Sequence, residues 1–248
     1  MNASAQQIHQ ALEAVAVLRA ERSAHPSLAL ASLQIKRFQA KRFQATYSDL
    51  LKSPRYESAA RFFLDELYGD KDYANRDQQF ARIASTIAKL FPQAVVNTAA
   101  ALAEVHALTE RLDNEMAHHW LEAEESAPTL TTAARYIVCW RRVADPAARH
   151  KQLEVVLALG RSLNDLTRKP GLRTLLKMMR TPASAAGLGS LQKFLEAGFD
   201  AFAAMRGADE FLTLISRRET EWIASLFSDD AVACETKLNY LLAAFEMR

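Results

Sequence analysis

The sequence predicts an all-α protein, a multi-helix bundle of about ten helices around one long central helix. Half of the 248 residues are hydrophobic, so the chain is able to bury a core and disorder is not expected. Only seven glycines and seven prolines occur, whereas alanine and leucine dominate, and this composition favours helices. No segment alternates β-branched residues over five positions, so no strand is predicted.

The prolines divide the chain into segments with helical periodicity, because proline is tolerated in the first turn of a helix. Ser53 and Asp145, each followed by proline, are predicted to cap the helices that follow them. Gly69 and Gly207 are predicted to end helices in a left-handed conformation. The predicted helices cover residues 4–23, 28–51, 54–68, 76–90, 93–124, 131–144, 147–168, 171–180, 189–205, 208–227 and 230–246.

The segment 93–124 is the predicted central helix. Its apolar stripe has spacings of three and four residues, as expected of a helix packed along its length, and consists of Leu102, Val105, Thr109, Leu112, Met116, His119 and Ala123. No long linker interrupts the chain, so we predict one domain over residues 1–248. The alternative is two helical halves that meet near residue 129.

Gly198 lies inside an otherwise good helix, where glycine costs about 1 kcal/mol relative to alanine. We therefore expect a close backbone crossing at this position. The phenylalanines around it are interpreted first as core, and second as the lining of an apolar cavity with a glycine at its floor.

The net charge of +2 conceals separate blocks of charge. Residues 19–61 hold nine basic against three acidic residues, residues 104–128 one against seven, and residues 129–180 eleven against three. The favoured interpretation is that the acidic helix lies near the basic segments and pairs with them. The alternative is a surface in 129–180 that binds an anion or nucleic acid, formed by Arg135, Arg141, Arg142, Arg149 and Lys151. Nucleic acid is not the favoured partner, because no recognised nucleic-acid-binding motif accompanies these residues.

A second alternative is an enzyme, or a carrier of a metal, haem or small ligand. The candidate ligand pocket comprises Glu115, His119, His106 and Tyr136. Glu115 and His118 form one Glu-x-x-His pair, which carboxylate-bridged di-metal bundles use twice, but the chain has no second copy. His119 is therefore interpreted first as a core histidine hydrogen-bonded within the fold, and second as a ligand. No metal site is assigned and no cofactor is predicted.

Familiar catalytic templates are absent, including phosphate-binding loops, serine-hydrolase elbows and zinc-protease motifs. Catalytic residues are therefore unknown, and a non-enzymatic protein is favoured. The acidic turn 69–77 lacks the ligands of a calcium loop and is predicted to cap the next helix. Cys139 and Cys234 have no metal-ligand spacing and are interpreted as reduced thiols of a cytoplasmic protein. Neither a signal peptide nor a membrane span is predicted.

The pentapeptide KRFQA occurs twice, at 36–40 and 41–45. Five residues advance about 140° beyond a full helical turn, so the copies face different directions and form no basic stripe. Lys36 falls on the apolar face and needs an acidic partner or an extended path to solvent. Phe38 and Phe62 project from second faces and require cover from a second layer or another subunit. We therefore expect a homodimer or another protein partner.

Three stretches contain unusual combinations such as FFL-x-x-LYG: RFFLDELYGDKDYANRD at 61–77, LTERLDNEMA at 108–117 and MMRTPASAAGLGSLQKFLEAGFDAFAAMRGADEFLTLISRRE at 178–219. They resemble a family of uncharacterised bacterial proteins, a domain of unknown function. The resemblance implies a cytoplasmic, entirely helical protein without an established activity, so no catalytic residue is transferred. Together, these features predict a non-enzymatic interaction or regulatory protein.

Overall fold

The computed structural model describes residues 3–66, 73–228 and 230–246, and no strand occurs in those ranges. A 3-10 turn (Leu50–Lys52) lies between the second and third helices. Within the described ranges there are twelve α-helices in chain order: α1 (Ala3–Ala24), α2 (Pro26–Thr46), α3 (Glu57–Glu66), α4 (Ala74–Leu90), α5 (Gln93–Ser126), α6 (Thr132–Val143), α7 (Pro146–Thr167), α8 (Leu172–Met178), α9 (Arg180–Ala185), α10 (Gly189–Ala204), α11 (Asp209–Ser228) and α12 (Ala231–Glu246). The all-α prediction is confirmed. None of these helices combines the length and apolar character needed to cross a membrane.

The central helix is α5, which has 34 residues and is about 50 Å long at 1.5 Å per residue. It packs against α1, α2, α6 and α7, so the predicted central helix is confirmed. Its N-terminal half contributes Val96 and Ala103 to one apolar cluster, and its C-terminal half contributes Met116 and Trp120 to another. Between these positions α5 buries three polar residues, Glu110, Asp113 and Asn114. A polar layer therefore lies between the two apolar clusters.

Helix starts follow the local signals only in part. Asp145 caps α7 as predicted, since its Oδ1 accepts a hydrogen bond from the Ala148 N–H at 2.8 Å and Pro146 occupies the first turn. Ser53 does not cap α3, which begins at Glu57. The Ser53 backbone carbonyl, rather than its side chain, accepts a hydrogen bond from the Glu57 N–H.

Helix ends likewise agree with the sequence prediction at some positions and differ from it at others. The predicted helix 28–51 was too long, because α2 ends at Thr46 and the chain then turns. Gly207 follows α10 with a φ of 132°, the left-handed conformation that was predicted. Gly69 and the part of the predicted capping turn up to Asp72 lie outside the described residues.

The two second-face aromatics find their cover within the chain. The ring centroid of Phe38 lies 4.5 Å from that of Tyr136, and the centroid of Phe62 lies 5.6 Å from that of Phe194. Both phenylalanines are buried, so the second layer is formed by α6 and α10. The homodimer stays a prediction that these residues no longer support, because neither needs cover from another subunit.

Two other sequence features have the neighbours that their positions require. Lys36 has an acidic partner, with its Nζ 2.5 Å from Glu110 Oε1. Gly198 marks a close approach, but the neighbour is a ring and not a backbone as predicted. A Cβ at this position would lie 2.9 Å from the Cζ of Phe62, so a side chain here would displace the ring.

The acidic segment of α5 pairs with the basic segments, which confirms the internal interpretation of the charge blocks. The pairs are Glu110 with Arg22 and Lys36, Glu122 with Arg142, and Glu124 with Arg135.

Candidate functional site

Two adjacent cavities lie in the described part of the bundle. The larger, here the apolar cavity, has a volume of about 300 Å³. The smaller, here the charged cavity, has a volume of about 110 Å³ and a lining that includes many ionisable side chains. Seven residues line both cavities, among them Phe63, Phe80 and Phe194, so the two share a wall.

The apolar cavity is lined by residues of α3, α4, α5, α7 and α10, together with α8 and α9. Gly198 lies in its lining beside Phe62. This position agrees with the second interpretation of the phenylalanines around Gly198, as the lining of an apolar cavity with a glycine at its floor. Three of the lining residues carry polar side chains, namely Thr86, Thr98 and Gln192. The volume is twice the roughly 150 Å³ of an apolar cavity that binds benzene. The cavity therefore has room for a medium-sized apolar molecule.

One wall of the apolar cavity is thin. The segment 172–185, here the α8–α9 flap, consists of two short helices, and none of the residues of α8 is buried. Leu175 and Met179 line the cavity although they are 44% and 37% exposed. Gly171 and Gly187, on either side of the flap, have φ values of 79° and 69°, which glycine adopts without strain. At the flap, side chains that line the cavity are themselves partly exposed to solvent.

Salt bridges at the surface hold the flap against α10. Both carboxylate oxygens of Glu196 lie 2.8 Å from Arg180 Nε, and this pairing lowers the pKa of Glu196 to about 2. Arg173 Nη2 lies 2.9 Å from Asp200 Oδ1. The Arg180 and Arg173 side chains are more than half exposed, whereas the Glu196 side chain is 16% exposed. Gln192 Nε2 also donates to the Leu176 backbone carbonyl at 2.6 Å. Because α8 has no buried residue of its own, these polar contacts are a main part of its attachment.

A buried ion pair crosses the charged cavity between α2 and α11. Arg42 donates to the Glu219 carboxylate through Nη1 at 3.2 Å and Nη2 at 2.8 Å. The Tyr47 hydroxyl donates to the same carboxylate at 2.8 Å. The side chains of Arg42 and Glu219 are 4% and 9% exposed, a degree of burial that charged groups tolerate only when they are paired and hydrogen-bonded.

A second carboxylate in the charged cavity has two cationic partners. Glu110 accepts hydrogen bonds from Arg22 Nη2 and Lys36 Nζ, each at 2.5 Å. Burial alone would raise the pKa of Glu110, but the charges of Lys36 and Arg22 outweigh burial and lower it. Glu110 is therefore ionised at neutral pH.

Two buried hydrogen-bond donors of the charged cavity have no partner among the described residues. They are the hydroxyl of Tyr136, a residue that is 0% exposed, and the indole N–H of Trp140, which is 6% exposed. The guanidinium carbon of Arg149 lies 3.9 Å from the Trp140 ring centroid. Asp113 lines the same cavity and accepts a hydrogen bond from Gln39 Nε2 at 3.0 Å. Burial raises the pKa of Asp113, which favours its protonated, uncharged form.

Of the four residues predicted for a ligand pocket, the structure brings two together. His106 and Tyr136 both line the charged cavity. His106 Nε2 lies 3.0 Å from Asp77 Oδ2, an oxygen that also accepts a hydrogen bond from Arg19 at 2.8 Å. Burial opposes ionisation of Asp77, but His106 and then Arg19 outweigh it, and the pKa of Asp77 is lowered.

Glu115 and His119 lie elsewhere, towards the surface of α5. Glu115 pairs with Arg111 at 2.7 Å, and His119 Nδ1 lies 3.0 Å from Glu122 Oε2. The prediction that His119 lies on the apolar face was wrong, since its side chain is 29% exposed. The next residue, Trp120, is buried instead, because the packed surface of α5 includes the side that faces α6.

The five cations predicted for an anion-binding surface have different environments. Arg149 is buried and lines the charged cavity. Arg141 Nε donates to the backbone carbonyl of Leu226 at 2.8 Å. Each of the other three forms an ion pair with a nearby carboxylate: Arg135 with Glu124, Arg142 with Glu122, and Lys151 with Glu154.

The sequence reasoning missed Arg42, Glu219 and Trp140. Arg42 and Glu219 are 177 positions apart, and no local pattern links them. The sequence did contain one indication that Arg42 is buried. Arg42 lies beside Phe38 on α2, and a helix face that buries Phe38 also buries its neighbour. For Trp140, the available indication was only a general one. Tryptophan is a large aromatic residue whose indole N–H usually has a hydrogen-bond partner when it is buried.

The described residues include no group of three His, Cys, Asp or Glu side chains arranged to hold a metal ion. Cys139 is buried, and burial raises its pKa to about 12. Because the thiolate is the reactive form, this cysteine is not suited to act as a nucleophile at neutral pH.

Comparisons with known proteins give a family match but no individual relative. No curated protein and no solved structure is significantly similar to this chain. Residues 18–233 match a family described as a domain of unknown function, DUF8198. This match covers most of the chain, including α5, which contributes to the lining of both cavities. The protein therefore belongs to the DUF8198 family.

Proposed function

We propose that this protein is a non-enzymatic binding protein that holds a small apolar molecule in the apolar cavity. The observation that carries the proposal is the size and composition of this cavity, about 300 Å³ with an almost wholly apolar lining. Specific ligand pockets are typically concave and mostly apolar, with a few polar groups that fix orientation. The polar side chains in the lining are Thr86, Thr98 and Gln192. Gln192 Nε2 already donates to Leu176 and Glu196, and the Thr98 hydroxyl donates to the Ala94 carbonyl, so these two residues offer a ligand their oxygen atoms as acceptors.

The lining also supports a binding role over a catalytic one. General acid–base and nucleophilic catalysis require ionisable or nucleophilic groups within reach of the substrate. The lining contains no ionisable side chain, and Glu196, which accepts a hydrogen bond from Gln192 at 2.8 Å, lies outside it. A regulatory role follows if occupancy changes the position of the α8–α9 flap, because the flap carries Met178, which is 70% exposed, on the outer surface.

Direct identification of a bound molecule is the first test. Native mass spectrometry of the purified protein is expected to show a mass above that of the chain, and denaturation should release an apolar compound. Titration with the neutral fluorescent probe N-phenyl-1-naphthylamine should then give saturable binding with one site per chain. Absence of both a released compound and saturable probe binding would contradict the proposal.

Filling the apolar cavity is expected to block binding. Ala99 lines the cavity on α5, and Ala99→Leu adds three heavy atoms to the cavity without lowering helix propensity. We expect at least about a tenfold loss of probe affinity, because a steric overlap of a few kcal/mol changes affinity by that factor or more. Ala94→Leu is the matched control, since Ala94 is exposed on the same helix. Equal affinities of the two variants would show that the probe binds elsewhere.

Release of the flap is expected to change the rates of binding. Glu196→Gln removes the negative charge that pairs with Arg180, so the flap should open more often and the probe should associate and dissociate faster. Stopped-flow fluorescence measures both rates. Glu154→Gln, which removes an exposed pairing with Lys151 on α7, is the control and should leave the rates unchanged. Unchanged rates in Glu196→Gln would mean that ligands enter by another route.

A further inference from the structure

The outer side of the α8–α9 flap combines exposed apolar side chains with exposed basic ones. This surface, here the docking surface, consists of the exposed residues of 168–180 together with Lys193 and Leu195 of α10. We propose that it docks reversibly onto membranes that contain anionic lipids, with Met178 and Leu175 entering the lipid layer and lysines contacting the headgroups. Such docking needs no spanning helix, because a short amphipathic helix lies in the plane of the interface.

The apolar part of the docking surface is a cluster. In the described ranges eight large hydrophobic side chains are exposed, and four of these lie on the flap or on the adjoining part of α10. The four are Leu175 (44% exposed), Met178 (70%), Met179 (37%) and Leu195 (39%). Leu175, Met179 and Leu195 line the same cavity, and Met178 precedes Met179 in the chain, so the four lie close together. Exposed apolar groups that cluster in this way mark interaction surfaces.

One side of α8 carries this apolar surface outward. Leu175 and Met178 are three positions apart and therefore share a side of the helix. Met178 does not line the apolar cavity, so its exposed surface lies on the outer side of the flap. Because α8 has no buried residue of its own, this side of the helix is covered by nothing in the described part of the chain.

The charge of the same segment is wholly positive. Residues 166–195 contain six basic and no acidic side chains, although the chain as a whole has 31 Lys and Arg against 29 Asp and Glu. All six are exposed, namely Arg168, Lys169, Arg173, Lys177, Arg180 and Lys193. A block of one sign at an exposed surface favours a partner of the opposite sign.

Ion pairs within the chain use only part of this charge. Arg180 and Arg173 pair with Glu196 and Asp200, the first two acidic residues that follow the segment. These pairs also place the basic side chains of the flap beside the part of α10 that carries Leu195. The three lysines have no ion pair among the described residues, namely Lys169, Lys177 and Lys193. The docking surface therefore keeps an excess of positive charge around the apolar cluster.

An anionic membrane matches both properties of the docking surface. Each basic residue near such a membrane contributes about fivefold in affinity, and apolar side chains gain by entering the boundary between headgroups and acyl chains. A nucleic acid supplies negative charge without an apolar layer. Its bases are bound by stacking on aromatic side chains, and residues 166–193 contain none. The exposed leucine and methionine side chains therefore favour lipid.

The docking surface adjoins the apolar cavity, because Leu175 and Met179 belong to both. A molecule dissolved in the lipid layer therefore meets the flap first. This link to ligand exchange rests on the proposed function of the cavity, whereas the docking itself does not.

The test is co-sedimentation of the full chain with phospholipid vesicles. Vesicles of phosphatidylcholine and phosphatidylserine should bind the protein saturably, and vesicles of phosphatidylcholine alone should bind it at least about tenfold more weakly. Sodium chloride should weaken the binding, because salt screens the charges. In Met178→Trp, tryptophan emission should shift to the blue on the anionic vesicles, since the three native tryptophans are buried and do not report contact with lipid.

A matched pair of variants tests the apolar contact. Met178→Asp places a charge where the side chain enters the lipid, and it should weaken binding to the anionic vesicles at least about tenfold. Val232→Asp makes the same change at a side chain that is 69% exposed on α12 and should leave the affinity unchanged. Thermal unfolding of each variant confirms that the fold is intact.

A second matched pair tests the charge. Joint replacement of the three unpaired lysines of the docking surface by glutamine should weaken vesicle binding at least about tenfold. The control replaces three exposed basic residues outside the flap and α10 by glutamine, namely Lys52, Lys151 and Arg217. It removes the same net charge and should have a much smaller effect.

Four results would overturn the proposal. The first is the absence of saturable binding to the anionic vesicles, which would leave an acidic protein or a second copy of the chain as the partner. The second is equal binding to phosphatidylcholine alone, and the third is an equal loss in a variant and its control. The fourth is an equal affinity for a DNA duplex, which would show that only negative charge is recognised. Ala99→Leu fills the apolar cavity and should bind vesicles as the parent does, so failure of the docking and failure of the cavity proposal are distinguishable.

Discussion

Glu219→Ala is expected to destabilise the folded protein by about 3–5 kcal/mol, the cost of removing one partner of a buried ion pair. The carboxylate accepts hydrogen bonds from both Arg42 and Tyr47. Without it, the Arg42 guanidinium loses this compensation while its side chain stays 4% exposed. The difference is measured as the change in free energy of unfolding in urea, followed by circular dichroism.

Two further variants separate burial of charge from loss of contacts. Replacing both partners, as Arg42→Met with Glu219→Leu, should be more stable than Glu219→Ala, because no uncompensated charge remains. Glu57→Ala is the exposed control: its partner Arg61 lies one turn away, and the two side chains are 45% and 60% exposed. That control should stay within about 0.5 kcal/mol of the parent. A loss below about 1 kcal/mol in Glu219→Ala would contradict the observed burial of the pair.

Glu110→Gln is the second change with a large expected effect, a loss of about 3 kcal/mol at neutral pH. The variant removes the negative charge that pairs with both Arg22 and Lys36. The loss should depend on pH because the pKa of Glu110 in the folded protein lies below its usual value of 4.5. A lowered folded-state pKa stabilises the protein fully above the unfolded-state pKa, and this contribution is lost as the pH falls through the folded-state value.

The difference in unfolding free energy between parent and Glu110→Gln should therefore be constant above about pH 5 and should decrease as the pH is lowered towards 3. Glu115→Gln is the matched control on the same helix, since Glu115 pairs with Arg111 at the surface, where their side chains are 39% and 43% exposed. Its effect should be small throughout. A difference between parent and Glu110→Gln that does not change with pH would show that the charge of Glu110 is not stabilised by its partners.

The two cavities connect stability with binding in this fold. Charged groups are costly to bury, and a stable protein of this size could fill the same space with apolar side chains. The layer of charge between the apolar clusters is therefore better explained by specificity than by stability. The flap beside the apolar cavity gives the proposed apolar ligand a route of entry.

Helix positions were predictable because they depend on neighbours along the chain. Proline at 146 and the carboxylate of Asp145 act within one turn, so the start of α7 was predicted to within one residue. The regular stripe on α5 likewise identified the central helix without knowledge of its partners. Ser53 shows the limit of local signals, since a capping residue followed by proline, as at Asp145, did not start a helix there.

The sequence predicted part of the apolar cavity but did not predict the charged cavity. Gly198 among phenylalanines predicted a notch in the surface of its helix. Glycine lowers the stability of a helix interior, so a glycine there is expected where a neighbouring group packs closely. For the charged cavity, His106 and Tyr136 were recognised as candidates, but Glu115 and His119 were grouped with them through helix spacing alone. Spacing on one helix does not say which neighbouring helix covers each face.

Local chain chemistry thus determined the helical class, the central helix and the segregation of charge. The tertiary structure alone decided that Arg42 pairs with Glu219, that Phe38 is covered by Tyr136, and that His106 and Tyr136 line one cavity. These contacts join residues from different helices across up to 177 positions. Their energies depend on distance and burial in space, and neither quantity is encoded in the spacing of residues along the chain.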